Sequence, residues 1–223
     1  MKACVVIPTH NESKAIAGLV AEVRKQGFDV LVVDDGSIDN TSKLAGEAGA
    51  VVLRNKVNQG KGASLIKGFN YTLSHGYDAV ITMDGDGQHL PEDISYFIRL
   101  AEYSESGLII GNRMSKARGM PGLRLATNMF MSWVISKAAG QKIPDTQCGF
   151  RLLKKKVIQK LSLETDKYET ESEILIKASR LGFKIESVPI KTIYAGEKSQ
   201  INPFIDTIRF LRFIIKELWT TKP

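Results

Sequence analysis

Asp84-Gly85-Asp86-Gly87-Gln88-His89 sets two carboxylates and an amide oxygen directly after the apolar run Ala79-Val80-Ile81-Thr82-Met83. Hard divalent cations take oxygen ligands, often through only one or two carboxylates, and leave their other positions to water and substrate phosphates. The stretch therefore points to Mg2+ or Mn2+ gripping a phosphorylated ligand. Two plainer readings compete with it. Asp-Gly pairs are common turn formers, and an acidic turn needs no metal. A calcium loop of the EF-hand type asks for Gly at its sixth position and Glu at its twelfth. Counted from Asp84, those places hold His89 and Ser95, which excludes it.

Two further apolar runs end in polar clusters, Pro8-Thr9-His10-Asn11-Glu12 and Asp34-Asp35-Gly36-Ser37. Each cluster alone fits a loop or a helix cap, with Asp39, Asn40 or Thr41 capping the next helix. Acids gathered at several strand ends repel one another, and a site that collects them commonly needs a cation to offset the cost.

The elements that must position these groups alternate. Short β-branched runs at Cys4-Ile7, Val30-Val33, Val51-Leu53, Ala79-Met83 and Leu108-Ile110 are interleaved with helical patterns from about Lys14 to Lys25, Thr41 to Ala48, Lys61 to Ser74 and from Pro91 onward. Strands alternating with helices argue for a parallel sheet, which binds its ligands at the carboxyl ends of the strands where strand order reverses. Beyond Gly111 the pattern loosens. Gly119-Met120-Pro121-Gly122 reads as a loop, followed by helices from about Leu125 to Ala139, Lys154 to Leu161 and Thr170 to Leu181, and by a strand from about Lys184 to Ile193. The sequence predicts one domain over 1–223. Within it lie a nucleotide-binding half over 1–111, an acceptor half over 112–202 and a C-terminal amphipathic helix over 203–219.

The 223 residues, 43% apolar and 25% charged, are ordinary for a globular protein with a real core. A net charge of +7 favours anionic partners. No nucleic-acid signature appears and the basic residues do not interleave with aromatics, so nucleic acid is not an expected partner. Cys4 and Cys148 lie far apart without metal-binding spacing, which fits a reducing, cytoplasmic setting. No apolar run approaches the roughly 20 residues of a spanning helix.

Taken with Asn58-Gln59-Gly60-Lys61-Gly62, Gly111-Asn112-Arg113, Gly149-Phe150-Arg151 and Gly196-Glu197-Lys198-Ser199, these clusters give the chain a resemblance over nearly its whole length. It resembles family 2 glycosyltransferases of the GT-A fold, and within them the dolichol-phosphate mannose synthase and polyprenyl-phosphate glycosyltransferase branch. The resemblance implies an α/β, Rossmann-like, doubly wound and mostly parallel sheet flanked by helices. It implies an inverting, metal-dependent transfer of a hexose, mannose or glucose, from a nucleoside-diphosphate sugar such as GDP-mannose or UDP-glucose to polyprenyl or dolichyl phosphate. Pro8, His10, Glu12, Asp35 and Lys61 would line the donor pocket. Asp84 and Asp86 would span the diphosphate and its metal, Gln88 would be a further metal ligand, and Asp86 would be catalytic. Arg113 and Arg124 match positions that hold the acceptor phosphate. Lys198 is matched to the donor diphosphate, although the order Glu197-Lys198-Ser199 departs from the branch's Gly-Glu-Ser-Lys.

A hydroxyl acceptor must lose a proton during attack, whereas a phosphate monoester arrives ionised. Family members with hydroxyl acceptors often carry an Asp followed by a Trp-containing motif. Here Asp145-Thr146-Gln147 is followed by Gly149-Phe150-Arg151 without Trp, which favours the phosphate and leaves Asp145 as the candidate base for a glycan or glycolipid hydroxyl. Glu169 and Glu171 are read first as acids favoured by a helix dipole. A subunit that binds nucleotide sugar or membrane without catalysis is the alternative of another class, and two intact carboxylates at Asp84 and Asp86 argue against it. Pro203 to Trp219 puts Phe204, Ile208, Leu211, Ile215 and Leu218 on one helical face and Arg209, Arg212 and Lys216 on another. Packing on the core competes there with docking of Phe210, Phe213, Ile214 and Trp219 at a lipid interface, as a peripheral protein on the cytoplasmic face of a membrane.

Overall fold

The computed structural model describes residues 1–116, 122–191, 209–210 and 212–217. Among the described residues seven strands form one sheet: β1 (Ala3–Thr9), β2 (Asp29–Asp34), β3 (Val51–Arg54), β4 (Ala79–Thr82), β5 (Leu108–Asn112), β6 (Arg151–Lys154) and β7 (Ile185–Pro189). Their order is β3-β2-β1-β4-β6-β5-β7, and β6 alone runs antiparallel to its neighbours β4 and β5. The helices are α1 (Ile16–Lys25), α2 (Thr41–Glu47), α3 (Lys61–Ser74), α4 (Ile94–Tyr103), α5 (Gly122–Ala139), α6 (Lys155–Ile158) and α7 (Glu169–Arg180).

Both faces of the sheet are covered, which is why its central strands read as continuous apolar runs. Side chains along β1 alternate between two cores. Val5 and Ile7 pack with Ile16, Val20 and Phe97 of α1 and α4, while Cys4 and Val6 pack with Leu65, Phe69 and Leu175 of α3 and α7. Parallel pairing sets Pro8 opposite Val33, Thr9 opposite Asp34 and Val6 opposite Thr82. The polar clusters after β1, β2 and β4 thus leave the sheet at one edge, around the strand-order reversal beside β1.

The sequence reading departs from the structure at β6. The helix expected from about Lys154 begins one residue later and runs for a single turn, preceded by the strand Arg151–Lys154. Leu152 sits between Ile81 and Ile109 in register. Two leucines in a four-residue run carry no period of their own, and the slot between β4 and β5 decides their conformation.

The C-terminal helix also turns a different face inward. Residues 209–210 and 212–217 are helical. Phe213 and Ile214, the side chains expected to be left over for lipid, are 7% and 5% exposed in the core beside α7, while Ile215 is 55% exposed. Apolar residues occupy more than one side of this segment, so its pattern does not choose a side; anchoring contacts do. Arg180 pairs with the Glu217 carboxylate and donates to its carbonyl at 2.9 Å, and Lys216 reaches Glu164 at 2.6 Å. Phe204, Ile208, Leu211, Leu218 and Trp219 lie outside the described residues, as do 119–121 of the expected loop Gly119-Met120-Pro121-Gly122, whereas Gly122 opens α5, three residues ahead of the helix start expected near Leu125. Among the described residues no helix is long and apolar enough to cross a membrane.

Candidate active site

Asp84 leaves the end of β4 and meets a cation from another element. Lys61, the first residue of α3, places Nζ 2.6 Å from Asp84 Oδ1 and 3.1 Å from Glu171 Oε2 in the first turn of α7. The Nε2 atom of the buried His89 ring lies 3.4 Å from Asp84 Oδ2. Burial acts to raise the Asp84 carboxyl, but Lys61 and His89 outweigh it and hold the group well below the usual carboxylate range. Burial likewise acts to lower the Lys61 ammonium, and Asp84 and Glu171 lift it above its ordinary value instead. Lys61 is therefore a fixed positive charge between two carboxylates.

Asp86 stands differently. Its Oδ1 accepts the Gln88 backbone N–H at 3.0 Å, and burial together with the neighbouring Asp84 carboxylate raises its pKa. Two oxygen-bearing acids that disfavour each other's charge, with the Gln88 amide alongside, fit the sparse protein ligation a hard divalent cation accepts when phosphates complete the shell. Among the described residues no group of three His, Cys, Asp or Glu side chains gathers as a fuller metal cage.

The floor of this turn is backbone. Thr82 Oγ1 donates to the Gly149 carbonyl at 2.6 Å, just ahead of β6, and a Cβ on Gly149 would lie 2.7 and 2.8 Å from the two Asp84 carboxylate oxygens. A side chain at position 149 would have to push the Asp84 carboxylate aside. Gly85 abuts the first loop in the same way, since a Cβ on it would meet Thr9 Oγ1 at 2.8 Å and Glu12 Cγ at 3.6 Å.

The loops after β1 and β2 are laced together. His10 Nδ1 is 3.0 Å from the Asp35 carbonyl, and Asn11 Nδ2 is 3.1 Å from His10 Nε2, a pair of contacts satisfied when Nδ1 carries the proton. Asn11, at φ 57°, accepts the Ile38 N–H, and its own N–H donates to Ser37 Oγ. The Glu12 N–H donates to Thr41 Oγ1 at 2.8 Å. Asp35 is 3% exposed and accepts from Asn55 Nδ2 and from the N–H groups of Gln59 and Gly60 at 2.7 to 2.9 Å. It thereby fixes the turn that launches Lys61. Pro8 is buried within β1, opposite Val33.

On the acceptor side the structure joins two residues that the sequence treats separately. Arg113 donates from Nε to Asp145 Oδ2 at 2.8 Å and from Nη2 to Oδ1 at 2.9 Å, and its backbone N–H reaches Oδ2 at 3.0 Å. Asp145 is fully buried and Arg113 is 7% exposed. Arg124 lies in the first turn of α5, with its side chain outside the described residues, and Lys198 is outside them altogether.

Sequence reasoning assigned no site role to Arg151, His89 or Glu171. Arg151 is 1% exposed and donates to the carbonyls of Cys148 at 2.7 Å, Thr146 at 2.9 Å and Glu171 at 2.5 Å. It clamps the segment carrying Asp145 to the first turn of α7, which carries the Lys61 partner. The signals present were the Gly149-Phe150-Arg151 run and the acids opening α7; neither reveals a contact made across 110 positions.

The sequence model described as glycosyl transferase family 2 matches residues 4–162. A UDP-N-acetylglucosamine–dolichyl-phosphate N-acetylglucosaminyltransferase of Methanococcus voltae is 31% identical over 213 residues, covering 85% of this chain and 85% of its own. A polyprenol monophosphomannose synthase of Mycolicibacterium smegmatis is 31% identical over 202 residues, covering 83% of this chain and 75% of its own. Among solved structures, glucosyl-3-phosphoglycerate synthase from Mycobacterium tuberculosis, in complex with Mn2+, uridine diphosphate and phosphoglyceric acid, superposes with a TM-score of 0.75. It shares 19% identity, covering 98% of this chain and 78% of that one, a likeness of GT-A fold.

Proposed function

We propose that this chain, which belongs to glycosyl transferase family 2, moves a hexose, mannose or glucose, from a nucleoside-diphosphate sugar to polyprenyl or dolichyl phosphate with inversion at the anomeric carbon. The observation that carries the choice of acceptor is the closed Arg113–Asp145 pair. Both oxygens of the candidate base Asp145 are taken by a guanidinium fork in a buried site, so Asp145 is poorly disposed to take a hydroxyl proton. An acceptor that arrives already ionised needs no such base. The naming of two relatives for dolichyl-phosphate and polyprenol-monophosphate chemistry supports the same reading.

In this mechanism an acceptor phosphate oxygen attacks the anomeric carbon opposite the diphosphate. The bond from that carbon to the diphosphate oxygen breaks, and nucleoside diphosphate departs with the bonding pair. Asp84, Asp86 and Gln88 are the residues that would hold Mg2+ or Mn2+, which when bound would offset the charge gathering on the leaving diphosphate. Lys61 adds a fixed positive charge beside Asp84. Asp35 and Arg151 hold the two segments that present it. Glu12 and His10 border the donor side, where Pro8 shapes the end of β1. Arg113 and Arg124 serve the acceptor phosphate, Arg113 being oriented for it by Asp145, and Lys198 is kept for the donor diphosphate.

The test is nucleoside-diphosphate release from GDP-mannose, UDP-glucose and UDP-N-acetylglucosamine with Mg2+ or Mn2+, offering polyprenyl phosphate, the matching polyprenol, or a simple glycan. Release with one donor and only with the phosphate is expected. Equal transfer to polyprenol or glycan would return the proton problem to Asp145 and overturn the proposal. The same assay checks the Asp84 floor. Gly149→Ala is expected to cut turnover about tenfold with near-normal thermal unfolding, because the added methyl displaces a carboxylate by a few tenths of an ångström or more. Undiminished turnover would show that the Asp84 position does not matter.

A further inference from the structure

The two acids after β4 face different partners. Asp86 Oδ1 accepts a backbone N–H, that of Gln88 at 3.0 Å. Both Asp84 oxygens face side-chain nitrogens instead, with Lys61 Nζ 2.6 Å from Oδ1 and His89 Nε2 3.4 Å from Oδ2. A hard divalent cation bound at Asp84 takes lone pairs of the same oxygens and repels an ammonium beside them, so one nitrogen has to yield. His89 is held in place: its ring is buried and packs against the buried Phe150, centroid to centroid at 5.2 Å. Lys61 carries its charge on a flexible stem and has a second partner, Glu171 Oε2, at 3.1 Å. The roots of these two side chains are pinned. The Gly60 N–H donates to Asp35 Oδ2 at 2.7 Å, the Ala63 N–H to the Asp166 carbonyl at 3.0 Å, and Arg151 to the Glu171 carbonyl. A Cβ on Gly62 would collide with Thr170 and the Asp166 backbone, so the starts of α3 and α7 abut. Any exchange is therefore confined to the Lys61 stem.

We propose that Lys61 competes with the divalent cation for Asp84, and that it yields by moving its ammonium from Asp84 Oδ1 to Glu171 and the incoming diphosphate. The inference rests on the reading of Asp84, Asp86 and Gln88 as the metal ligands, and it gives Lys61 and Glu171 a part in loading that site. Burial acts to lower the Lys61 ammonium, but Asp84 and Glu171 lift it above its ordinary value, so it leaves Asp84 by displacement with its proton retained. Glu171 is a positioning residue that keeps the displaced charge within reach. Two consequences follow from the competition. A metal ion arriving alone must displace a paired ammonium, and it binds weakly. A diphosphate offers that ammonium a new partner, so metal and nucleotide favour each other's binding through Lys61.

The experiment titrates Mn2+ into the full chain without donor or acceptor and follows the free ion by electron paramagnetic resonance. Lys61→Met is expected to bind Mn2+ about tenfold more tightly than wild type, within the usual range of coupling between two ligands. Lys61→Met/Glu171→Gln separates contact from field, because it removes one cation and one anion and leaves the net charge of the site unchanged. It should keep most of the gain. A return to wild-type affinity in this double variant would mean that Lys61 acts only through its long-range field, and overturns the proposal. Should Lys61→Met fail to fold by thermal unfolding, Lys61→Gln takes its place, with a several-fold tightening expected. Adding GDP or UDP should narrow the difference between wild type and the Lys61 variant, since the diphosphate draws the ammonium away; an unchanged difference counts against the exchange. Asp86→Asn is titrated alongside. If it weakens Mn2+ binding while the Lys61 variants bind as wild type does, the proposal alone fails. If it leaves Mn2+ binding intact, the metal-site reading fails and the proposal with it.

Discussion

Asp86→Asn is expected to lower transfer by roughly 100- to 1,000-fold, the scale seen when one preorganised group facing developing charge is removed. The unequal state of the two acids makes Asp86 the more telling substitution. Asp84 is already compensated by Lys61 at 2.6 Å and by His89, and its loss would also release a buried ammonium. Asp86 has a pKa raised by burial and by the Asp84 charge, a group whose ionisation costs the fold something. The sign of the stability effect follows. A carboxyl with a raised folded pKa is less destabilising when protonated, so its cost appears as pH rises above the unfolded value. At neutral pH the amide should therefore leave thermal stability unchanged or slightly higher. Mn2+ affinity, measured by titration without donor, should fall in parallel with activity, since the amide supplies no charge to a hard cation. Loss of activity together with loss of fold would mark Asp86 as structural, and wild-type turnover would remove it from the reaction.

The contrast between Asp84 and Asp86 also shows where sequence reading reached its limit. Both acids were legible, because a parallel sheet delivers the ends of β1, β2 and β4 to one edge and their apolar runs announce those ends. The bounds of α3, Lys61 to Ser74, were legible too, since a glycine turn precedes an uninterrupted helical pattern. What separates the two acids is Lys61, His89 and Glu171, brought together from three elements by tertiary packing. Glu171 looks like any acid opening a helix, and its bond to Lys61 has no local trace. Arg151 was visible as part of a run but not as a donor to three carbonyls, because a buried guanidinium and a solvated one have the same letter. Strand β6 and the inward face of the C-terminal helix share one cause. Each is short or apolar on several sides, so the neighbour with space for it decides.

Splitting the Arg113–Asp145 pair should have the largest effect on stability. Asp145→Ala takes the bidentate carboxylate away from a guanidinium that is 7% exposed, and Arg113→Met takes the fork away from a carboxylate with no exposure. Breaking a buried, bidentate pair on one side costs about 3–5 kcal/mol, because the remaining charge loses two strong hydrogen bonds in a medium that solvates it poorly. Removing both charges with side chains of similar volume is far less costly, so Arg113→Met/Asp145→Leu should recover most of the loss in thermal or denaturant unfolding. That recovery separates folding from function. If Arg113 serves the acceptor phosphate, the stable double variant still transfers poorly, and the deficit appears chiefly as a raised KM for polyprenyl phosphate with donor KM little changed. Arg113→Lys keeps the charge but not the fork, so it should fall between, with partial stability and weakened acceptor binding. A double variant that regains both stability and acceptor affinity would reduce the pair to a structural tie. The acceptor phosphate would then have to be met by Arg124 or by another cation.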